Sequence, residues 1–503
     1  LRVQVPDRPP DYPGLSKESP GFLLCLMKIL SEKKKLLEAA GLAVAVLGIG
    51  ARATSALNAD SLWLDRTLRY LVSTRSLHGC AVQPAPNTFP DAFVYAPLRL
   101  LLGNAHRAHF AFAVCYALLW AWLWRRFRRS ERPRYSWGPA ALGLGGIVLL
   151  SCWEENFVRM FVPGHHGGTA LVVFWLATEL VRRREFSVRA LGVLTVVCLA
   201  TAMSDRAAIP WLATLVAAAT VRGRRSRDAW CLVPFLVGAA APFLADHLGT
   251  ILGTVPPPAF AQPVVHVGKL GLWYLLDGWR LLFDRAYAPV IVGVFLEIAV
   301  VVGVANLRWR GADERERRLL AASVLGPIAS VAAIPHDQQG FDFNSGAIRY
   351  LALATLAATA IAGEWVLDAA PGCWIIAAIC AQVFIIHPPL RPALRLRPVL
   401  SEPLKPCVQE LASRGVTDFV GEYWMIWRLE ATEVAGKYWA SDGGAGTYRW
   451  LSPYKMPDRL EFAPGARFAV ETTGLDERRI HETFGRETEL KRCAGARFLV
   501  FTR

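Results

Sequence analysis

A chain of 503 residues that is 53% hydrophobic and only 19% charged, with a mean hydropathy of +0.30, is too apolar for a soluble multidomain protein and reads as a membrane protein. The formal net charge of +15 does not indicate nucleic acid, because the Lys and Arg fall in short clusters between apolar runs, where positive-inside bias puts them. The ten Cys are scattered without CxxC or other metal-ligand spacing.

Residues 1–37 form an N-terminal cytoplasmic segment, of which 1–26, with five Pro and no apolar periodicity, reads as disordered. Met27 and the basic stretch KILSEKKK suit a translation start that leads into a retained first span, not a cleaved signal. Apolar runs follow at 38–56, 105–124, 138–153, 166–181, 189–204, 208–221, 230–247, 287–306, 318–334, 348–367 and 372–387. Each approaches the length needed to cross roughly 30 Å of hydrocarbon, so about eleven transmembrane helices are expected. Alternate connections hold KILSEKKK, RRFRRSERPR, RRREFSVR, RGRRSR and RWRGADERERR, which makes that side cytoplasmic. A polytopic α-helical transmembrane unit is therefore expected over 38–389. Amphipathic surface helices are expected on its outer face near 61–74 and 268–285.

The tail, 390–503, differs in kind. After the Pro-rich HPPLRPALRLRP, the stretch SEPLKPCVQELASRG reads as a helix, and TDFVGEYWMIWRLE, RFAVETT and ARFLVFTR read as strands. A small extracytoplasmic α/β domain is expected, in which Cys407 and Cys493 are positioned to pair in an oxidising compartment. Trp424, Trp427, Trp439 and Trp450, with Tyr423, Tyr438 and Tyr448, serve either as its core or as stacking surfaces for sugars.

Sorted by side, the chemistry-bearing residues gather outside. All ten His lie there, together with Asp60, Asp65, Arg66 and Arg69 after the first span. Glu154, Glu155, His165 and His166 join the third and fourth spans, and Asp205 and Arg206 the fifth and sixth. Lys269 precedes the eighth span, and Asp342, Arg349 and Tyr350 lie at the tenth. Carboxylates serve as bases or bind divalent ions, and Arg and Lys neutralise phosphate. Adjacent imidazoles do not share a helix face, so His165 and His166 act together only on a loop, which PGHHGG supplies.

This layout resembles the GT-C superfamily of membrane glycosyltransferases. The matching residues are Asp60 just outside the first span, LRY at 68–70, GHHGGTALVVFWLATEL at 164–180, and SGAIRYLALATLA at 345–357 with Arg349 and Tyr350. Ser61 follows Asp60 where many members carry a second acid. The resemblance implies an inverting transfer of a sugar from a polyprenyl-phosphate or polyprenyl-diphosphate donor to a glycan, lipid or protein acceptor. Transfer would take place on the outer face of a cell-envelope membrane, the inner membrane in a bacterium. It also implies an acid of the first outer loop as base: Asp60 first, Asp65 second.

Arg66, Arg69, Arg206, Lys269 and Arg349 are the phosphate-binding set. Glu154, Glu155, His165, His166, Asp205, Asp342 and Tyr350 line the pocket. A divalent cation, Mg2+ or Mn2+, would draw its ligands from Asp60, Glu154, Glu155, His165 and His166. The alternatives are a polysaccharide polymerase or ligase, whose site usually lies in one large outer loop, and a transporter or flippase of lipid-linked substrates. No internal repeat or midplane charge favours the latter.

Overall fold

The computed structural model describes residues 20–57, 59–76, 88–128, 137–153, 157–182, 186–205 and 208–220. In the tail it describes 404–422, 436–441, 450–451, 462–473, 475–493 and 495–502, with isolated residues elsewhere. It is mostly helical, with one small sheet at the C-terminal end. The expected spans at 230–247, 287–306, 348–367 and 372–387, all but the first turn of that at 318–334, and the surface helix near 268–285 lie outside the described residues or touch them only at isolated positions.

In chain order the helices are α1 (Pro20–Ser55), α2 (Ala59–Thr74), α3 (Asp91–Leu102), α4 (Ala105–Arg128) and α5 (Gly138–Trp153). A 3-10 turn (Arg159–Phe161) precedes α6 (Gly167–Arg182), α7 (Val188–Ser204) and α8 (Ala208–Thr220). Helix α1 starts at Pro20, well ahead of the apolar run it carries. Its segment Leu36–Ser55, with mean hydropathy 1.6, is the one described helix long and apolar enough to cross a membrane. Gly138–Ser151 and Val188–Ser204 are shorter apolar helices. The first two outer-loop helices are α2, which covers the expected 61–74, and α3, which the hydropathy pattern did not separate from its surroundings.

Helix α1 packs on α4 and α5. Gly50 permits this, since a Cβ there would lie 2.9 Å from Phe110 Cε2. At four-residue spacing Trp120 and Trp124 of α4 stack at 5.8 Å, and Trp124 stacks on Phe174 of α6 at the same distance. This places a wide aromatic layer between the two helices.

Polar pairs fix which helix ends meet. Arg52, in the last turn of α1, donates from Nε to Ser151 Oγ of α5 at 3.2 Å and from Nη2 to the Ser151 carbonyl. At the far end Arg126 of α4 pairs with Glu179 of α6 at 2.7 Å. Helix α7 is capped by Ser187, whose hydroxyl accepts from Ala190 N, and stops where Asp205 turns extended (φ −147°, ψ 108°). That break makes α7 and α8 two helices, as their hydropathy suggested. Large apolar side chains stay uncovered on several faces: Phe93 and Leu101 of α3, Leu118, Leu119 and Trp122 of α4, Val188, Val193 and Val196 of α7.

The tail begins with α9 (Lys405–Ser413) and builds a six-stranded sheet from β1 (Val416–Glu422), β2 (Lys437–Ser441), β3 (Trp450–Leu451), β4 (Arg467–Glu471), β5 (Glu489–Cys493) and β6 (Ala496–Thr502). Helix α10 (Glu477–Phe484) lies between β4 and β5. The order is β3-β2-β1-β4-β6-β5, with β1 parallel to β2 and β4 and the remaining pairs antiparallel. The strand expected over TDFVGEYWMIWRLE ends at Glu422; residues 426 and 428–429 beyond it are helical. Gly421 weakens continued pairing there, and Ile426 and Leu429 bury a helical face instead.

One sheet face packs Phe419, Tyr438, Ala469, Phe498 and Val500 with Val408 and Leu411 of α9. The other packs Val420, Phe468, Val470 and Phe501 with Ile480 of α10. The first of these clusters also takes in Leu62, so the tail is seated on α2. Cys407 and Cys493 form the expected disulfide, with Cα atoms 6.0 Å apart, tying α9 to β5. Tyr438 is a core residue, stacked on Phe419 at 5.3 Å with its hydroxyl donating to the Val434 carbonyl.

Candidate functional site

Three connections far apart in sequence converge at one end of the helical unit: the start of α3, the turn before α6, and the end of α7. Asp91 opens α3 and is almost fully buried. Its Oδ1 accepts the Tyr116 hydroxyl at 2.6 Å, and its Oδ2 accepts the Gly164 N–H at 2.9 Å. Gly164 is in the left-handed region (φ +83°), a conformation that glycine adopts without strain and that aims its N–H at the carboxylate.

His166 Nδ1 lies 2.7 Å from Asp205 Oδ2, and the Thr169 hydroxyl donates to the same oxygen at 2.7 Å. Ser204 accepts the Phe89 N–H at 2.8 Å, which docks the residues before Asp91 onto the end of α7.

Sequence explains this convergence locally. In PGHHGG the glycines serve close approach. A Cβ on Gly168 would lie 2.1 Å from Asp91 Oδ1, and one on Gly167 would lie 1.6 Å from the Met160 carbonyl oxygen. His165, His166, Thr169, Asp205 and Asp91 are all buried.

Burial raises the Asp91 carboxyl from 3.8 to about 7; the bonds from Tyr116 and Gly164 oppose the rise, and the negative charge of Asp205 adds to it. A carboxyl that changes protonation near neutrality, next to an acid–imidazole pair, is suited to accept and pass a proton.

Helices α2, α3 and α4 build a second cluster. Asp65 of α2 pairs with Arg99 of α3 at 2.5 Å and Arg69 at 2.9 Å, and accepts the Tyr95 hydroxyl at 3.0 Å. Burial and the Asp65 charge push the Tyr95 hydroxyl well above its usual pKa, so it serves as a donor. Arg66 is buried beside them. His109 of α4 lies 3.2 Å from the Ser61 carbonyl and 3.2 Å from the Tyr95 hydroxyl, locking α2, α3 and α4 together. Both oxygens of Asp65 face guanidinium groups, which makes this acid a crosslink between helices and removes it from the role of free base.

The sequence-predicted residues therefore divide. His166 and Asp205 are brought together, and His165 is buried in the same turn before α6; Asp65, Arg66 and Arg69 form a separate cluster with Arg99. Asp91, which is buried, and Arg99, which is half-buried, are charged residues of these two clusters that the sequence did not single out. A signal existed: Asp91, Tyr95 and Arg99 stand four residues apart on an otherwise apolar helix, the spacing of one helical face. The backbone of Asp60 lies in the first turn of α2, and its side chain falls outside the described residues, as do Glu154, Glu155, Arg206, Lys269, Asp342, Arg349 and Tyr350.

Among the described residues no three His, Cys, Asp or Glu side chains come together as metal ligands. No protein-family model and no curated protein sequence matches the chain.

Proposed function

We propose that this chain is an integral-membrane glycosyltransferase that moves a sugar from a polyprenyl-phosphate or polyprenyl-diphosphate carrier to an acceptor on the outer face of the membrane. The meeting of Asp91 with the His166–Asp205 pair at a single end of the helical unit carries this reading. Transfer needs a base where the acceptor oxygen attacks the anomeric carbon. In this scheme Asp91 takes the acceptor's hydroxyl proton, and the bond from carbon to phosphate oxygen breaks, its electron pair leaving on the carrier phosphate. His166 and Asp205 lie next to that carboxyl as the relay, and Arg206, the residue after Asp205, is proposed to face the phosphate together with Arg349. A divalent cation remains part of the proposal only through Asp60, Glu154 and Glu155.

The fold offers further support. Uncovered apolar faces on α3, α4 and α7 suit lipid, which removes the penalty they would carry in water. Arg125, Arg126 and Arg128 in the last turn of α4 and Arg182 in the last turn of α6 lie at the ends of these helices away from the acidic centre. The Cys407–Cys493 disulfide suits an oxidising, extracytoplasmic tail.

The test is release of polyprenyl phosphate from a panel of labelled polyprenyl-phosphate and polyprenyl-diphosphate sugars by the full chain in nanodiscs. Turnover that disappears in Asp91→Asn, with the unfolding transition retained, supports the reading. Wild-type turnover in that variant refutes it. Equilibration of the intact lipid-linked sugar across the bilayer without cleavage would establish the flippase alternative.

A further inference from the structure

The tail sheet carries a second polar site, remote in sequence from the acidic centre. From the carboxyl end of β1 the chain goes to β2 on one side; from the carboxyl end of β4 it passes through α10 to β5 and β6 on the other. Since β1 and β4 are parallel neighbours, these connections part and leave a crevice at the strand ends, the place where open α/β sheets bind ligands. Gly421 of β1 and Glu471 of β4 line it. Ala469 belongs to the same cluster as Leu62, and Glu471, two residues on, shares that face, so the crevice opens on the side of the sheet where α2 is seated.

Glu471 is only 3% exposed. Its Oε1 accepts from Thr473 N at 3.2 Å and from the Thr473 hydroxyl. Its Oε2 is just as buried and has no hydrogen-bond partner among the described residues. A buried carboxylate oxygen with no donor is costly, and a ligand that brings a donor relieves it. Gly421 keeps the space beside it open: a Cβ there would sit 3.6 Å from Glu471 Cβ and 3.4 Å from Ile426 Cδ1. Burial raises the Glu471 carboxyl, opposed by the Thr473 bonds and by the charge of Arg428. Arg428, an exposed side chain, therefore lies within electrostatic reach of the Glu471 carboxyl.

An acceptor oxygen, a guanidinium and the apolar wall of Ile426 match adjacent hydroxyls on a sugar ring, where one O–H donates and its neighbour oxygen accepts. We infer that the β1/β4 crevice binds a saccharide, with Glu471 accepting from one hydroxyl and Arg428 donating to another. Only the identification of that saccharide as the acceptor rests on the glycosyltransferase reading.

Saturation-transfer NMR on the full chain in nanodiscs tests the site with the methyl glycosides of glucose, galactose, mannose, N-acetylglucosamine and arabinofuranose. At least one should receive saturation. In Glu471→Gln and Arg428→Gln that signal should fall by about tenfold or more, the worth of a charge-assisted hydrogen bond. Gly421→Ala, whose added methyl meets its neighbours at ordinary contact distance, should reduce the signal with an unchanged unfolding temperature, which covers the case of a Glu471 variant that does not fold.

Absence of transfer to every glycoside, or transfer retained in Glu471→Gln, would overturn the site. A Ca2+-dependent rise in unfolding temperature that is lost in Glu471→Gln, with no glycoside signal, would overturn it in favour of a cation. Glycoside binding that survives in Asp91→Asn, with or without lipid-linked turnover, keeps this site's outcome separate from that of the catalytic proposal.

Discussion

His166 Nδ1 and Asp205 Oδ2 stand 2.7 Å apart and join the turn before α6 to the end of α7. The same turn reaches Asp91 through Gly164 N, so one short stretch of backbone orders two acids whose charges oppose each other. Burial raises the proton affinity of Asp91, and the negative charge of Asp205 adds to the rise.

Asp91 gives a pH dependence with a definite sign. As a base it acts when ionised, so kcat/KM should rise with pH through about 7. Stability should run the other way. The folded-state carboxyl binds its proton more tightly than the unfolded one, so between pH 4 and 7 stability falls as pH rises and then levels off. The total loss is at most on the order of 4 kcal/mol. Asp91→Asn should remove about 100-fold or more of turnover and flatten the stability profile, as read by unfolding at pH 5 and pH 8. An unchanged slope in the variant would exclude Asp91 as the titrating group.

Gly167 and Gly168 should not tolerate even one methyl. Gly167→Ala drives a Cβ into the Met160 carbonyl, and Gly168→Ala drives one against the Asp91 carboxylate and Pro90. Each should cost several kcal/mol or block folding, on the order of the larger core defects. Gly192→Ala in α7 meets nothing within 4 Å and should be neutral or stabilise by about 0.5–1 kcal/mol. Thermal unfolding of the three variants side by side checks the ranking.

Asp65 should prove structural. Asp65→Asn leaves Arg69 and Arg99 facing a neutral group, and breaking a buried pair from one side costs about 3–5 kcal/mol. The folded fraction should keep wild-type turnover per active molecule. A large loss of kcat with unchanged unfolding would return Asp65 to the role of base.

The tail cysteines should resist maleimide until a reductant is added. Cys407→Ser together with Cys493→Ser should lower tail stability by about 2–5 kcal/mol. Labelling of both thiols in the untreated protein would contradict the bond.

Much of the helical architecture was legible because continuous apolar runs end at polar clusters. The expected 105–124, 138–153, 166–181, 189–204 and 208–221 correspond to α4 through α8 with shifts of a few residues. In the tail β1, β4 and β6 were legible from their apolar character, whereas β2, β3 and β5 are short or carry charges, as in Glu489–Cys493, so pairing partners decide them. The acidic centre was half legible. His165, His166 and Asp205 drew notice as polar residues between apolar runs, whereas Asp91 sits inside DAFVYAPLRLLL, whose average character is apolar and whose Pro97 argues against a helix. Only tertiary contact with Gly164 and Tyr116 reveals what that carboxylate is for.

Leu62 belongs to two neighbourhoods at once, helix α2 by sequence and the tail's interior by packing. Deleting the tail would strip that side chain of its cover and disturb the helix bearing Asp60, Asp65 and Arg66, so a shortened chain would report damage in α2 as well as the missing module. Conversely, a large molecule gripping the tail would tug on α2 directly, giving the tail a mechanical handle on the helical unit.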